Sequence, residues 1–463
     1  MDGKACVVGK VVLEGDLELM SPLLVGDGLG DSNRDNDKDI HVLRDKDGKP
    51  YLPGTSLMGV LRERLHQQYP DRVAELFGDL GKCQSAIQAA DVSFDDARLT
   101  FRDGVAIDHY MGSAIDGAKY DYEAVERGAK APFRLEVTLR GCHTEDAKAW
   151  QKSPVREDVL DTLLFLKDRM EEGIHVGAMT SKGFGLLRAR NLSMGLYDFA
   201  RQQDVKAWLT QVQPEAKKAS RQLSGKSSLA PYDPGSFSVE AEFALRSSLL
   251  VRNYTTDRKG KAIAVMLKSG KDAVIPGTSI KGALRHRAAY ILESLGKDEA
   301  ALDSLMGTAD AESSSGGEGE GRRKSRLRVD ETYISLQGKT LTETEHVRNR
   351  IDRFTGGTID SALFATKPLW QKDGTAGTVT LRFEILEASP EEAGLALFLL
   401  KDLWQGQLPL GGEIGAGRGT LKGLRADIHY VGKSYRLSEQ GKVIQGDQAE
   451  LESYGAAFCR KGV

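Results

Sequence analysis

Apolar and polar residues alternate at the start of each half of the chain. Residues 5–19 and residues 238–250 both follow this pattern, which predicts half-buried β-strands. After each strand comes a long polar segment, and then apolar residues recur at helical spacing. The residues on the apolar face are Leu57, Val60, Leu61 and Leu65 in the first predicted helix and Ile280, Ala283, Leu284 and Ala288 in the second. Each half is therefore expected to contain a strand, a long loop and an amphipathic helix.

The two predicted helix starts are nearly identical in sequence. LPGTSLMGVLRER at 52–64 recurs as IPGTSIKGALRHR at 275–287. Other matches follow in the same order: 76–78 with 305–307, 98–99 with 326–327, 107–108 with 351–352, and 183–185 with 417–419. Matches that keep one order indicate a tandem duplication. In both copies a Thr or Ser of the Pro-Gly-Thr-Ser motif is expected to supply the helix N-cap oxygen.

The duplication predicts the domain organisation. Strand, helix, strands, helix and strand in each half predict an α+β fold, ferredoxin-like or RRM-like. We place the first module at 1–212, a linker at 213–236 and the second module at 237–463. Turn-forming residues crowd the linker. Residues 309–328 are rich in Ser, Gly and Glu, which predicts a mobile loop.

Composition narrows the function classes only a little. The 64 Lys and Arg residues nearly balance 67 Asp and Glu residues, so net charge does not by itself indicate nucleic-acid binding. The cysteines, Cys6, Cys83, Cys142 and Cys459, are far apart, which argues against a zinc site or a disulfide framework. The N-terminus lacks a signal-peptide pattern, and no apolar stretch is long enough to cross a bilayer. We expect a cytoplasmic protein without membrane association.

Two repeated features are suited to holding a sugar–phosphate chain. A helix that starts after Pro-Gly offers backbone N–H groups and the positive end of a helix dipole. The glycine-rich segments 177–185 and 411–419 permit close backbone approach, and their spacing fits neither a P-loop nor a dinucleotide motif. The cations at these places are Arg62, Arg285, Lys182 and Arg418. A capped helix with paired arginines, and tight structural turns, remain the alternatives.

The polar segment of the first half is acidic. Its aspartates are Asp27, Asp31, Asp35, Asp37, Asp39, Asp45 and Asp47. The run from Asp35 resembles the start of an EF-hand, but Ile40 replaces the required Gly and Lys46 replaces the required Glu. A solvated acidic loop is one interpretation. The other is an Asp held beside bound RNA, where it recruits Mg²⁺ or helps to activate a ribose 2′-hydroxyl.

Several of these segments together resemble a known family. DIHVLRD at 39–45, followed by the helix start at 52–62, resembles the opening motif of the RAMP superfamily. In particular it resembles the repeated backbone subunit of type III CRISPR effector complexes, the target-RNA-cleaving subunit of the Csm and Cmr assemblies. Segments 105–112 and 346–356 are similar to the stretch that leads into the family's thumb hairpin. Since both halves are covered, the resemblance implies a fusion of two such subunits.

The resemblance implies two tandem ferredoxin-like RAMP modules with thumb-hairpin insertions. Their expected partners are crRNA, target RNA and other CRISPR effector subunits. In this family a loop Asp cuts the target RNA in a metal-dependent reaction that leaves a 2′,3′-cyclic phosphate. Asp39 takes that position here, as catalytic residue and as ligand for Mg²⁺ or another divalent cation, with Asp37 as the alternative in a shifted register. A non-catalytic crRNA-binding scaffold is the alternative function, and crRNA processing ranks behind both.

The second half departs from the family's pattern. Asp257 is the only acid in segment 252–268 and lies several residues early, so it is a candidate for a second catalytic residue. The basic character of the segment favours a module that only binds RNA. The RNA-binding candidates are Arg44, Ser56, Arg62, Lys182, Arg252, Ser279, Lys281, Arg285 and Arg418. Met111 and Phe354 are the candidates for thumb residues that flip a base.

Overall fold

A computed structural model describes most of the chain. The described residues are 5–27, 40–79, 83–108, 114–146, 153–210, 221–231, 235–256, 260, 262–307, 323–337, 340–372 and 378–460. The chain forms two compact units. The first unit is Met1–Thr180 with Phe184–Tyr232, and the second is Ser181–Gly183 with Asp233–Val463. The division between Tyr232 and Asp233 falls inside the segment predicted as the linker.

The first unit contains the following elements in chain order. They are β1 (Val7–Leu19), β2 (Tyr51–Leu52), α1 (Gly54–Gln68), α2 (Pro70–Phe77), β3 (Ile87–Ala89), β4 (Val92–Ser93), β5 (Leu99–Ile107), β6 (Ala114–Val125), β7 (Lys130–Arg140), α3 (Glu157–Glu172), β8 (Ile174–His175), β9 (Leu186–Asp198), α4 (Gln202–Thr210) and β10 (Arg221–Gln222). Strands β5 and β6 pair with each other as a hairpin.

The second unit follows the same plan with additional strands. Its elements are β11 (Phe237–Leu245), β12 (Arg252–Thr256), β13 (Ala262–Met266), β14 (Lys268–Ser269), β15 (Asp272–Ile275), α5 (Gly277–Ser294), α6 (Ala300–Met306), β16 (Leu327–Val329), β17 (Thr332–Ile334), β18 (Leu341–Glu343), β19 (His346–Ile351), β20 (Thr358–Lys367), β21 (Leu369–Gln371), β22 (Val379–Ile385), α7 (Pro390–Gln405), β23 (Leu421–Tyr430), β24 (Lys433–Leu437), β25 (Val443–Gln445) and α8 (Gln448–Cys459). Strands β19 and β20 form the counterpart of the β5–β6 hairpin.

The main sheets of the two units have the same strand order. In the first unit β3, β7, β1 and β9 are neighbours, and in the second β16, β22, β11 and β23 occupy the equivalent places. Both central strands are antiparallel to both of their neighbours. Because each unit also carries helices and a hairpin that corresponds between the units, the predicted tandem α+β fold is confirmed.

Each unit has its own apolar core. Leu57, Leu61 and Leu65 of α1 are fully buried in the core of the first unit, and Ile280 and Leu284 of α5 are buried in that of the second. Burial of one such side chain stabilises the fold by about 1.5–3 kcal/mol. The apolar faces predicted from helical spacing are thus the faces that pack against the sheets.

The predicted side-chain N-cap is wrong. Both helices begin at the glycine of the motif, with Pro53 and Pro276 at the N-cap position and no side-chain cap hydrogen bond. Thr55 therefore lies inside the first turn rather than before it. In α1 the cap comes from a distant residue, because the Gly54 N–H donates to Asp91 Oδ1 at 2.8 Å. A Cβ on Gly54 would lie 2.3 Å from the Ala89 carbonyl oxygen, so only glycine fits there.

Part of the predicted linker is folded onto the first unit. Strand β10 pairs with β9, and Leu223 is buried. The Ser227 N–H donates to Asp168 Oδ2 at 2.8 Å, and its hydroxyl donates to Asp161 Oδ1 at 2.7 Å. The sheet of the first unit therefore extends beyond residue 212. Of the predicted mobile loop at 309–328, residues up to 322 lie outside the described residues, and the last two belong to β16.

Candidate nucleic-acid interface

The acidic segment of the first unit begins and ends beside the β5–β6 hairpin. Residues 28–39, which include Asp37 and Asp39, lie outside the described residues. On the far side of that gap the Ile40 N–H donates to the Asp121 carbonyl at 3.3 Å, and the Glu123 N–H donates to the Ile40 carbonyl at 3.0 Å. On the near side the Asp27 N–H donates to the His41 carbonyl at 3.2 Å. Both ends of the segment are thus held at the base of the hairpin.

A buried carboxylate fixes this arrangement. The Glu123 side chain is only 4% exposed, and its Oε1 lies 2.7 Å from Arg44 Nη2. Its Oε2 accepts the Val42 N–H at 3.2 Å. A buried charge that lost such partners would be strongly destabilising. Arg44, a predicted RNA contact, therefore also ties the returning segment to β6, although its side chain is still 38% exposed.

The second unit has the same connections in a more regular form. Its β12–β13 hairpin replaces the acidic segment, and β13 runs parallel to β20. Three pairings correspond between the units: Gly26–Val42 with Arg252–Met266, Ile40–Tyr122 with Ala264–Thr366, and Leu23–Val125 with Leu249–Leu369. In this register residue 39 corresponds to Ile263, which is only 7% exposed. A buried isoleucine stands where the first half of the sequence has its candidate catalytic aspartate.

The two glycine-rich loops share one backbone conformation. Met179 and Glu413 both have positive φ angles, of 56° and 58°, and each is followed by one 3-10 turn, Thr180–Lys182 or Ile414–Ala416. A Cβ on Gly185 would lie 1.8 Å from the Val176 carbonyl oxygen, and one on Gly419 would lie 1.9 Å from that of Leu410. In both loops the backbone that approaches the glycine closely belongs to this chain and not to a ligand. This favours the structural-turn interpretation at these two positions.

The same backbone carries different side-chain chemistry in each unit. In the first, Phe184 is fully buried, and its ring lies 5.8 Å from that of Tyr122 and 5.5 Å from the Arg102 guanidinium. In the second, Arg418 takes the place of Phe184 and bonds to Glu413 at 2.7 Å and to the Ser248 hydroxyl at 2.5 Å. The aromatic contact of the first unit is thus replaced by an ionic contact in the second.

Glu413 is the centre of this ionic group. It pairs with Arg348 of β19 and Arg418 of the loop, and its Oε1 lies 3.6 Å from Arg252 Nη2 of β12. We call these four residues the Glu413 cluster. Burial acts to raise the pKa of Glu413, but hydrogen bonds and charge from Arg348 and Arg418 outweigh it and hold the pKa below its ordinary value. Three guanidinium groups around one carboxylate leave an excess of positive charge.

The hairpins present apolar side chains to solvent. Phe354, at the tip of the β19–β20 hairpin, is 97% exposed, and Val347 and Leu363 on its strands are 55% and 59% exposed. The tip is a defined turn, because Asp352 Oδ1 accepts the N–H groups of Phe354 and Thr355 at 2.9 and 2.8 Å. Clustered exposed apolar groups mark a surface that binds a partner.

One protein family matches both units of the chain. The model of the RAMP superfamily matches residues 16–188 and 242–422. The chain belongs to the RAMP superfamily. Each unit is therefore one RAMP module, and the duplication inferred from sequence is a duplication of that module.

The individual proteins to which the chain is similar share only a small part of its sequence. The chain is 25% identical over 214 residues to the "CRISPR system Cms endoribonuclease Csm3" of Methanocaldococcus jannaschii. The match spans 40% of this chain and 81% of that protein. Among solved structures it is similar to a chain of the "Type III-B Cmr-beta bound to cognate target RNA", with 13% identity and a TM-score of 0.30. That match spans 40% of this chain and 61% of the other.

Several predicted RNA contacts of the RAMP modules are engaged within the protein. Lys281 is 7% exposed, and its ammonium donates to the hydroxyls of Ser181 and Ser325 and to the Leu327 carbonyl. Burial, with the nearby charges of Lys182 and Arg285, lowers the pKa of Lys281 to about 7. Arg418 is 6% exposed. In the conformation described, these two side chains bond to other residues of the second unit and leave almost no exposed surface for a phosphate.

The remaining predicted contacts differ in how accessible they are. Arg62 is exposed and has no hydrogen bond or ion pair with any other described residue. Arg252 is exposed, and Ser56 and Ser279 are half-buried in the first turns of α1 and α5. Burial lowers the pKa of Lys182, and Arg285 bonds to Asp303 and to the Gly307 carbonyl. Arg62 and Arg252 are the cations of this set best placed to meet a ligand.

Two further RAMP predictions fall on residues that the structure does not describe. Asp257 and Met111 both lie outside the described residues, as Asp39 and Asp37 do. Within the described part of the chain, no group of three or more His, Cys, Asp or Glu side chains is placed to hold a metal ion. No helix of the described part is long and apolar enough to span a membrane.

Sequence reasoning missed the centre of the site in the second unit. Glu413 and Arg348 are 65 residues apart, and no local pattern connects them. Tyr254 was also missed, because the basic composition of segment 252–268 suggests a loop, although most of the segment forms β12, β13 and β14. Phe364 was missed as well; it lies outside that segment, on β20. The short apolar run IAVM at 263–266, which follows Gly260, was the available hairpin signal.

Proposed function

We propose that this chain is a double backbone subunit of a type III CRISPR effector complex. In this proposal both RAMP modules bind crRNA, and the first cleaves guide-paired target RNA through Asp39. The second module binds RNA without cutting it. Membership of the RAMP superfamily and the printed name of the relative from Methanocaldococcus jannaschii support the RNA-cleaving class.

The correspondence between the two units carries the proposal. Residue 39 directly precedes Ile40, which is held against β6 at the base of the apolar hairpin. An RNA that contacts the hairpin would therefore lie close to Ile40, the residue that follows Asp39 in sequence. In the second unit the corresponding residue is the buried Ile263, which has no group able to accept a proton or bind a cation. The asymmetry supports one cutting module and one binding module.

The proposed reaction is an in-line transesterification of the target RNA. The ribose 2′-oxygen loses its proton and attacks the adjacent phosphorus. The bond between that phosphorus and the 5′-oxygen breaks, and the 5′-oxygen takes a proton from water and leaves as a hydroxyl. The products are a 2′,3′-cyclic phosphate and a 5′-hydroxyl end. The Asp39 carboxylate either takes the 2′-proton or helps to bind a divalent cation. Mg²⁺ or another divalent cation, when bound, stabilises negative charge on the phosphate oxygens.

Target cleavage by the assembled complex tests the assignment. Asp39→Ala is expected to slow the cut at the site of the first module by roughly 10²-fold or more, with guide binding unchanged. Asp31→Ala, which removes the same charge from the same segment, is the matched control. Asp37→Ala tests the shifted register, and Asp257→Ala is expected to remove no product band. If Asp39→Ala and Asp37→Ala both leave every product band intact, the cleavage assignment to the first module is refuted. If Asp257→Ala also leaves them intact, the chain is a non-catalytic scaffold.

A further inference from the structure

Aromatic and arginine side chains share one face of a small sheet in the second unit. The sheet has the order β12-β13-β20-β19, in which Tyr254 pairs with Ala264, and Ala264 with Thr366. Paired residues, and residues two apart in one strand, point to the same side, so Tyr254 shares a face with Phe364. Arg348 pairs with Phe364 across β19 and β20, and its guanidinium carbon lies 5.4 Å from the ring centroid.

Both rings on this face are open to solvent. Tyr254 is 63% exposed and Phe364 is 46% exposed. An aromatic side chain usually buries most of its surface, about 150–250 Å², so this much exposure of two rings is unusual. Ala264 and Thr366 between them are buried. From the spacing of strands and of residues along a strand, the two Cα positions are roughly 12 Å apart. Each ring can therefore take a planar group of its own.

Positive charge borders the rings. Glu413 holds Arg348 and approaches Arg252, so both guanidinium groups are oriented while the cluster keeps its positive excess. The Arg350 side chain in β19 is exposed and makes no hydrogen bond or ion pair with another described residue. Exposed rings beside arginines match the chemistry that binds single-stranded nucleic acid, in which bases stack on rings and phosphates meet cations. An acidic or apolar protein segment would not require two separate exposed rings.

The described part of the first unit does not repeat this surface. Tyr120 corresponds to Phe364, because Tyr122 corresponds to Thr366. Tyr120 lies across Gly104, where an added Cβ would sit 2.2 Å from its ring, and it stacks on Tyr122 with centroids 5.9 Å apart. Its ring is used for packing within the unit. The exposed aromatic face therefore belongs to the second unit.

We propose that Tyr254 and Phe364 form a stacking platform for unpaired RNA bases, with Arg252 and Arg348 contacting the adjoining phosphates. The proposal rests on the RNA-binding function proposed above and assigns the second unit a distinct part of it. Unpaired bases are specified because a base inside a duplex exposes only its edges, whereas stacking on a ring requires its face.

Equilibrium binding of the full chain to a short single-stranded RNA tests the platform. The RNA carries 2-aminopurine, whose fluorescence falls when it stacks, and a second RNA has the same backbone with abasic sites. Tyr254→Leu and Phe364→Leu keep apolar volume but remove the ring, and thermal unfolding verifies that they fold. Tyr290→Leu is the matched control, because Tyr290 is 55% exposed with the Arg287 guanidinium 4.8 Å from its ring, but lies on α5.

Each platform substitution is expected to weaken binding of the base-containing RNA by about five-fold or more and to reduce the fluorescence change. Tyr290→Leu should bind as the unsubstituted chain does, and abasic RNA should bind all variants equally. If the platform variants match Tyr290→Leu while the chain still binds RNA, the platform is refuted and the proposed function stands. If the unsubstituted chain binds neither RNA, the proposed function itself fails.

Discussion

Removal of the Glu413 carboxylate is the sharpest test of the ionic group in the second unit. Glu413→Ala leaves Arg252, Arg348 and Arg418 close together with no anion between them. The Glu413 and Arg418 side chains are only 10% and 6% exposed, and removing one partner of a buried pair costs about 3–5 kcal/mol. Because Arg348 and Arg252 are 34% and 47% exposed, we expect a loss at the low end, about 3 kcal/mol.

Glu387→Ala is a matched control. Glu387 also has a positive φ, of 51°, so both variants remove a carboxylate from a left-handed position. Its side chain is exposed and makes no ion pair with another described residue. Hydrogen–deuterium exchange of a peptide covering 411–419 is the assay, since a loss of about 3 kcal/mol speeds exchange on the order of 100-fold. Glu387→Ala should change it by less than about three-fold.

The pH dependence of the same assay provides a second readout. Since the pKa of Glu413 is held below its ordinary value, its stabilisation is present above the unfolded-state pKa of a glutamate. It is lost as the pH falls through the lower folded-state pKa. Protection of 411–419 should therefore fall with acid in the unsubstituted chain more than in Glu413→Ala. Equal exchange in Glu413→Ala and Glu387→Ala at neutral pH would refute the cluster's role in stability.

Three further predictions address single positions in the two units. Gly419→Ala should destabilise the second unit by several kcal/mol more than Gly417→Ala, because their φ angles are 80° and 78° but only Gly419 would bring a Cβ within 1.9 Å of a carbonyl oxygen; equal midpoints in urea would contradict this. Asp91→Ala should cost about 1 kcal/mol by removing the cap of α1, whereas Thr55→Ala should cost less than half of that by the same urea titration, and the reverse order would restore the cap predicted from sequence. Burial, with the charge of Glu384, raises the pKa of Asp330 to about 6, so its contribution to stability is full below an unfolded pKa of about 4 and falls by roughly 3 kcal/mol as the pH rises to 6. Asp330→Asn should remove that part of the pH dependence, and an unchanged dependence would refute it.

Much of the fold could be predicted because its signals are local and repeated. The spacing of Leu57, Leu61 and Leu65 identifies a buried helix face wherever the helix packs. The recurrence of the Pro-Gly-Thr-Ser motif required two copies of one fold, and the shared strand order of the two sheets agrees with it. The cap of α1 could not be predicted in this way, since it comes from Asp91, 37 residues along the chain.

The same contrast between local sequence signals and contacts of distant residues applies to the functional surface. The sequence by itself determined that there are two modules, that the acidic segment belongs to the first, and that the second carries more positive charge in its place. Only the tertiary structure decided that Ile263 corresponds to residue 39, that Arg418 and Lys281 are engaged internally, and that Tyr254 and Phe364 share an exposed face. The physical reason is that strand pairing sets these relations. The pairing of β13 with β20 joins Ile263 to Ala365, 102 positions away, and no periodicity along one segment contains that register.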